Sequence, residues 1–153
     1  MPEKKLFLLD AMALIYRAYF AMSKTPRINS KGLNTSAILG FANTLLEILK
    51  NENPSHIGVA FDTMAPTLRH EDTGVVQYKA NRERMPEDIA NAIPYIKQLI
   101  TAFNIPIILA EGYEADDVVG TLAKAAEKDG FKVYMMTPDK DYGQLVSENI
   151  FMY

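Results

Sequence analysis

The 153-residue chain contains no cysteine and only two histidines. Without cysteine, structural disulfides and thiolate-based zinc sites are excluded, which fits a reducing cytoplasm. A cysteine nucleophile is excluded for the same reason. One histidine (His56) stands at the start of a predicted strand and the other (His70) in an irregular segment. Both positions favour a structural or solvated role, so a nucleophilic triad is disfavoured.

Long apolar runs are also missing. No segment approaches the roughly 20 apolar residues that a membrane helix needs. Lys4 and Lys5 precede an apolar run that ends at Asp10, which is too short for a signal peptide. With 48% hydrophobic and 23% charged residues, the chain has the composition of an ordinary globular domain. We therefore expect one cytoplasmic domain with no membrane partner.

The glycine motifs of common nucleotide-binding folds are absent. After the first predicted strand the sequence reads Asp10-Ala11-Met12-Ala13, not G-x-G-x-x-G, and no G-x-x-x-x-G-K-[ST] phosphate loop occurs. A hydrolase with a phosphoryl-accepting aspartate is the main rival, but one such design needs a second aspartate at the position of Met12. These absences disfavour dinucleotide binding, P-loop chemistry and phosphoaspartate chemistry.

Apolar runs and helical spacing alternate along the chain. The predicted strands are Lys5–Leu9, His56–Phe61, 105–109, Lys132–Met136 and Ile150–Met152. The predicted helices are Ala11–Met22, Thr35–Lys50 with Asn34 or Thr35 as its cap, a helix from Pro86 to Phe103, Glu114–Asp129 followed by Gly130, and Tyr142–Val146. This alternation predicts an α/β fold, a doubly wound and mostly parallel sheet with helices on both faces. Because the chain ends inside a strand, we expect it to be part of a longer protein.

The apolar positions of two helices predict which faces are buried. In the second helix the predicted stripe is Ile38, Ala42, Leu45, Leu46 and Leu49. In the third it is Ile89, Ile93, Ile96, Ile100 and Phe103.

Acidic residues follow four of the predicted strands. They are Asp10, Asp62, the group Glu114, Asp116 and Asp117, and the pair Asp139 and Asp141. The carboxyl ends of parallel strands lie along one edge of a sheet, so these carboxylates are expected to converge. Converging carboxylates raise one another's pKa unless cations are present. The pattern therefore predicts a metal site, although a first helical turn rich in acid also occurs simply because the macrodipole favours it.

The ligand types indicate which metal this is. Oxygen ligands without histidine or cysteine favour magnesium or manganese. Seven acids exceed what one magnesium ion uses, and two ions about 4 Å apart are the arrangement that cleaves phosphodiesters. Metal-dependent phosphodiester hydrolysis is thus the chemistry that the sequence favours.

An irregular segment, 63–86, carries Arg69, Tyr78, Lys79, Arg82 and Arg84. These side chains are of the types that contact a phosphate backbone and stack on a base. A mixed-charge solvated surface is an equally good interpretation, because Glu71, Asp72, Glu83 and Glu87 dilute the positive charge. Arg17, in the first predicted helix, is open to the same two interpretations.

Seven blocks of the sequence carry a family resemblance. They are Leu9-Asp10, Tyr16-Arg17-Ala18, Phe61-Asp62, Arg69-His70, Tyr78-Lys79-Ala80-Asn81-Arg82, Gly112-Tyr113-Glu114-Ala115-Asp116-Asp117 and Thr137-Pro138-Asp139-Lys140-Asp141. In this order they resemble the 5′→3′ exonuclease domain of bacterial DNA polymerase I, which belongs to the flap endonuclease family. The resemblance runs over essentially the whole chain.

The resemblance implies a nuclease that uses two Mg²⁺ or Mn²⁺ ions on DNA with a 5′ end or 5′ flap. It also implies action on RNA primers, a polymerase domain in the same longer chain, and a cytoplasmic, nucleoid-associated location. The residues it implies for the first metal site, directly or through water, are Asp10, Asp62, Glu114, Asp116 and Asp117; those that begin the second are Asp139 and Asp141. It places Lys79 and Arg82 in a helical arch for the 5′ strand and Arg17 near the scissile phosphate.

The chain departs from the family pattern in three places. Ala11 stands where a glycine is common, and Leu68 where an aromatic residue often precedes the arginine. The G-D-x-x-D-N block and the helix-hairpin-helix-like element of the family do not occur before Tyr153. We therefore expect 1–153 to be the N-terminal metal-binding part of the domain, with 66–86 as its arch, and to have little activity by itself.

Two other functions remain open from the sequence. A non-catalytic module that binds DNA junctions would have the same fold, but its acids would tolerate amide replacement. A toxin-like ribonuclease domain would share the metal-binding sheet, but the long basic segment 66–86 disfavours that compact class.

Overall fold

A computed structural model describes residues 3–62, 85–110 and 112–153. The predictions for Arg69, Tyr78, Lys79 and Arg82, and for most of the arch, lie outside the described residues. The strands are β1 (Lys5–Asp10), β2 (His56–Ala60), β3 (Ile107–Ile108), β4 (Lys132–Met136) and β5 (Ile150–Met152). The helices are α1 (Ala11–Ala21), α2 (Ser36–Asn51), α3 (Glu87–Ala102), α4 (Ala115–Lys128) and a 3-10 helix (Lys140–Leu145).

The five strands form one parallel sheet in the order β3-β2-β1-β4-β5. The sequence of β1 is almost continuously apolar because both faces of this central strand are covered. Phe7 and Leu9 point to one face and Leu8 to the other. The predicted doubly wound α/β fold is confirmed.

Two hydrophobic cores lie on opposite faces of the sheet. The first is built with α1, α2 and α3 and includes Ile15, Phe41 and Ile96. The second is built with α4 and the 3-10 helix and includes Val119 and Tyr142. Helices α2, α3 and α4 are amphipathic, and burying their apolar faces in these two cores stabilises the fold.

Some predicted details are wrong. The strand predicted over 105–109 pairs only at Ile107–Ile108. In α2 the buried apolar residues are Ala37, Phe41, Leu45 and Ile48, whereas the predicted stripe residue Leu46 is 48% exposed. Phe103 is also exposed, at the C-cap of α3. Leucines occupy more than one face of α2, so apolar spacing alone could not say which face is buried.

Thr35, one of the two predicted caps, is the N-cap of α2, although its side chain makes no capping hydrogen bond. The last helix spans Lys140–Leu145 and not the predicted Tyr142–Val146. Asn34 Oδ1 accepts a hydrogen bond from the Ser36 backbone N–H at 3.0 Å, while the Thr35 hydroxyl donates to the Arg27 carbonyl oxygen. Gly130 follows the C-cap of α4 with a φ of +86°, the left-handed conformation that glycine adopts most easily. Within 3–62, 85–110 and 112–153, no helix has the length and apolar character to cross a membrane.

Helices α1 and α2 approach each other closely at one glycine. A Cβ atom at Gly40 would lie 2.5 Å from Ala18 Cβ and 3.4 Å from Ala18 Cα. Gly40→Ala should therefore force the two helices apart. We expect it to lower the free energy of unfolding by about 1–3 kcal/mol, with a gain in helix propensity of up to about 1 kcal/mol partly offsetting the loss. Urea unfolding measures this difference.

Gly120→Ala is the matched control. There the nearest atom to a new Cβ is Leu145 Cδ1 at 3.3 Å, the end of a flexible side chain. We expect this variant to be as stable as the wild type or more so, because alanine is the better helix former. Equal urea midpoints for the two alanine variants would contradict the close packing at Gly40.

Candidate metal centre

Acidic residues gather at the edge of the sheet where the strands end. Asp10 is the last residue of β1 and the N-cap of α1, and Asp62 follows β2. Glu114 is the N-cap of α4, and Asp139, after β4, is the N-cap of the 3-10 helix. Because all five strands are parallel, these residues share one edge of the sheet.

Asp10 is the most buried of these acids, with 8% of its surface exposed. Its Oδ2 atom accepts hydrogen bonds from the hydroxyls of Thr137 and Tyr142, each at 3.2 Å. Its Oδ1 atom accepts from the Ala13 backbone N–H at 3.5 Å. Burial and then the nearby charge of Asp62 raise the pKa of Asp10 to about 6, although the three hydrogen bonds act in the opposite direction.

Tyr142 is held in its protonated form. Burial raises the pKa of its hydroxyl, and the negative charges of Asp10 and Asp116 raise it further. The hydroxyl therefore acts as a hydrogen-bond donor to Asp10. These effects also show that the carboxylates of β1, β2 and α4 act electrostatically on the same small region.

Asp62 joins the end of β2 to the start of α4. Its Oδ1 atom accepts a hydrogen bond from the Ala115 backbone N–H at 2.7 Å. The first amide groups of a helix have no partner within the helix, and a carboxylate satisfies one of them favourably. This bond fixes the N-terminus of α4, and with it Glu114, beside Asp62.

Glu114, Asp116 and Asp117 lie within metal-binding distance of one another. Each offers a carboxylate oxygen, and these atoms all fall within 4.8 Å of each other. Asp117 Oδ2 accepts from the Glu114 N–H at 3.3 Å, and Asp116 Oδ1 accepts from the Asp117 N–H at 2.9 Å. Gly112, with a φ of +83°, makes the turn before this group.

The remaining predicted residues are more exposed. Asp141 lines a cleft of about 340 Å³ between α4 and the 3-10 helix, together with Asp116, Asp117 and Tyr142. Asp139 is exposed at the same edge, and its Oδ1 atom accepts from the Asp141 N–H at 2.9 Å. Arg17 is exposed in the second turn of α1. The structure thus places Asp62 beside the start of α4 through the Ala115 amide, and the charge of Asp62 acts on Asp10. Asp141 lies at the cleft that Asp116 and Asp117 also line.

The donor set fits a hard divalent cation. Every candidate ligand in the described part of this edge is a carboxylate, and carboxylate oxygens are the ligands that Mg²⁺ and Mn²⁺ prefer. Cations would also offset the charges that raise the pKa of Asp10.

Sequence reasoning missed two polar residues that contact Asp10. Thr137 and Tyr142 flank the Asp139-Lys140-Asp141 block, and only 5% and 2% of their surfaces are exposed. Their position beside that block was the available signal. Lys124, which lines the cleft from α4, was also not singled out.

Solved structures share the fold. Over 97% of this chain and 55% of the other, the structure is similar to that of T5 5′-exonuclease with bound divalent metal ions (zinc), with a TM-score of 0.71 and 18% identity. The catalytic core of Rad2 in complex with a DNA substrate is similar over 98% of this chain and 44% of the other, with a TM-score of 0.60 and 24% identity. At these identities the likeness is one of fold.

Sequence comparisons are more specific. DNA polymerase I of Bacillus subtilis is 43% identical over 146 residues, which are 95% of this chain but 16% of the polymerase. The 5′-3′ exonuclease of Aquifex aeolicus is 41% identical over 147 residues, which are 96% of this chain and half (50%) of that protein. The model of the family "5′-3′ exonuclease, N-terminal resolvase-like domain" matches residues 5–153. The chain therefore belongs to the family of 5′-3′ exonuclease N-terminal resolvase-like domains.

Proposed function

We propose that this protein is a divalent-metal-dependent 5′ nuclease that hydrolyses DNA phosphodiesters at 5′ ends and 5′ flaps. The observation that carries the proposal is the convergence of carboxylates from three separate elements. Asp10 ends β1, Asp62 binds the first amide of α4, and Glu114, Asp116 and Asp117 begin that helix. Family membership supports the reaction class.

The carboxylates have distinct parts in this proposal. Asp10, Asp62, Glu114, Asp116 and Asp117 would hold the first ion, directly or through water. The residues that would begin the second site are Asp139 and Asp141. When bound at such a site, two divalent ions supply activation of water and stabilisation of the leaving oxygen. Burial keeps the Asp10 carboxylate in a fixed position, which favours ordered coordination.

Basic residues would bind the substrate. Arg17, exposed in the second turn of α1, would contact the scissile phosphate. Arg69, Tyr78, Lys79 and Arg82 would contact the single 5′ strand within the arch segment 66–86. The substrate class includes RNA primers annealed to DNA. The Rad2 structure, which contains a DNA substrate, supports nucleic acid as the ligand of the shared fold.

Mg²⁺ or Mn²⁺ is the proposed cofactor. We also propose that 1–153 is the N-terminal metal-binding part of a longer nuclease domain, in a cytoplasmic, nucleoid-associated protein with a polymerase domain in cis. The chain spans 16% of the Bacillus subtilis polymerase and 50% of the Aquifex aeolicus exonuclease, which supports this arrangement. Residues beyond Tyr153 would then complete the second metal site.

Replacing a carboxylate of the α4 group tests catalysis. In the full-length protein, Asp116→Asn should lower the rate of 5′-flap cleavage with Mg²⁺ by about a hundredfold or more, because several kcal/mol of transition-state stabilisation depend on bound ions. Binding of the same flap DNA should be retained, since the substitution removes a negative charge. Single-turnover cleavage and fluorescence anisotropy measure the two properties.

Asp129→Asn is the matched control, because Asp129 is the exposed C-cap at the other end of α4. We expect it to leave both properties unchanged. If the wild type binds flap DNA without cleaving it and Asp116→Asn binds equally well, the protein is instead a non-catalytic module that binds DNA junctions. An equal loss of cleavage and binding would contradict the role assigned to Asp116.

The burial of Asp10 predicts a pH dependence of stability without metal. The folded protein binds a proton at Asp10 with a pKa of about 6, compared with an ordinary value of 3.8. The contribution of this group to stability is therefore fully present below pH 3.8 and is lost as the pH rises to about 6. The loss is about 3 kcal/mol. Urea unfolding in a chelator, from pH 4 to pH 7, measures it.

The comparison with Asp10→Asn isolates this carboxylate from the other titrating groups. The variant should lack the part of the pH dependence that belongs to Asp10. Adding Mn²⁺ at pH 7 should stabilise the wild type and have a smaller effect on the variant. Identical pH profiles for both proteins would show that Asp10 does not have a raised pKa.

The proposed arch residues predict a salt dependence. Changing Lys79 and Arg82 together to alanine should weaken 5′-flap binding. It should also make the logarithm of the association constant fall less steeply with the logarithm of the salt concentration. The expected change is about 0.7 for each single-strand phosphate that the variant no longer neutralises. Lys50→Ala with Lys128→Ala is the control, because both lysines lie in last helical turns, at the opposite edge of the sheet. An unchanged slope in the Lys79 and Arg82 variant would mean that these side chains do not contact phosphate.

A further inference from the structure

Two hydroxyl groups bind the same oxygen atom of Asp10. Tyr142 reaches it from the 3-10 helix, and Thr137 reaches it from the residue after β4; both donors lie 3.2 Å from Oδ2. Thr137 Oγ1 also accepts a hydrogen bond from the Asp139 N–H at 3.1 Å, which leaves its own proton for Asp10. The side chains of Asp10, Thr137 and Tyr142 are all buried. The arrangement is therefore fixed by packing on both sides of the carboxylate.

The two carboxylate oxygens of Asp10 differ in whether a lone pair remains available to bind a cation. A carboxylate oxygen has two lone pairs, and the two hydroxyl donors use both of those on Oδ2. Oδ1 has one long contact, to the Ala13 N–H at 3.5 Å, which is at the limit of a hydrogen bond. Oδ1 therefore keeps a lone pair for a cation, whereas Oδ2 does not.

We propose that Tyr142 and Thr137 are positioning residues that make Asp10 a one-oxygen ligand and so select small octahedral cations over Ca²⁺. The inference rests on the proposed function, since it assigns a preference to the same metal site. Mg²⁺ and Mn²⁺ fit octahedral sites in which each carboxylate gives one oxygen. Ca²⁺ takes more ligands and often binds both oxygens of a carboxylate. Blocking Oδ2 removes that option at Asp10.

Tyr142→Phe tests the inference because it removes one hydroxyl and keeps the ring that fills the second core. The affinities of purified protein for Mn²⁺ and Ca²⁺ are measured separately, from the electron paramagnetic resonance signal of free Mn²⁺ and by Ca²⁺ competition. We expect Mn²⁺ to bind about 10–100-fold more weakly to the variant, as is usual when a hydrogen-bond partner of a ligand is removed. Ca²⁺ binding should weaken less, so the preference for Mn²⁺ should fall.

The ratio of Mn²⁺ affinity to Ca²⁺ affinity distinguishes a positioning role of Tyr142 from a general effect on protein stability. A variant that is only less stable loses Mn²⁺ and Ca²⁺ binding by the same factor. Tyr153→Phe is the matched control, because the Tyr153 hydroxyl donates to Glu52 at 2.9 Å and is exposed, away from the acidic edge. It should leave the ratio unchanged. An unchanged ratio in Tyr142→Phe, at a temperature where the protein is folded, would overturn the inference.

A second pair of variants applies if Tyr142→Phe does not fold. Thr137→Val removes the other hydroxyl, whereas Thr137→Ser retains it. The valine variant should lose the preference for Mn²⁺ over Ca²⁺, and the serine variant should keep it. Equal ratios of Mn²⁺ to Ca²⁺ affinity in the two variants would also overturn the inference. If the wild type binds neither cation, the proposed function fails, and the inference fails with it. A different outcome, in which the wild type binds both cations but the substitutions leave the ratio of Mn²⁺ to Ca²⁺ affinity unchanged, overturns this inference and leaves the proposed function standing.

Discussion

A buried negative charge at the end of the central strand is the constraint on which this structure depends. β1 lies between β2 and β4, and the strand order reverses beside it, so its carboxyl end opens into the crevice where α/β sheets bind ligands. Asp10 occupies that end with 8% of its surface exposed. Such a charge is costly unless donors or cations offset it. Three hydrogen-bond donors contact the Asp10 carboxylate, and its pKa lies well above the ordinary value.

The two hydrophobic cores make this arrangement stable. Apolar side chains on both faces of β1 pack into these cores and hold the strand in place. Asp62 then fixes α4 through the Ala115 amide, which sets the carboxylates of Glu114, Asp116 and Asp117 close together. The fold thus carries mutual repulsion among its acids, as expected of a site that is built for function and not for stability.

The sequence predicted the sheet, its strands and the convergence of its acids, because those depend on short-range patterns. An apolar run followed by aspartate marks both the end of β1 and its place at the sheet edge. It could not predict that Leu46 faces outward, since that depends on how α2 packs against α1 and α3. Nor could it predict the contacts of Thr137 and Tyr142 with Asp10, which are 127 and 132 residues away in the chain. Such contacts depend on side-chain direction in the folded protein.

Tyr142 links the second hydrophobic core to the carboxylate at the end of β1. Its ring belongs to the second core, where it packs with residues such as Leu8 and Met135, and its hydroxyl reaches Asp10. Thr137 makes a similar link, since it donates to Asp10 and accepts from the Asp139 amide. The carboxylate at the end of β1 and the Asp139-Lys140-Asp141 block are therefore held in one hydrogen-bonded unit. A shift of the 3-10 helix would move the donors of Asp10, so the two groups of acids that the proposed reaction needs keep a fixed relation to each other.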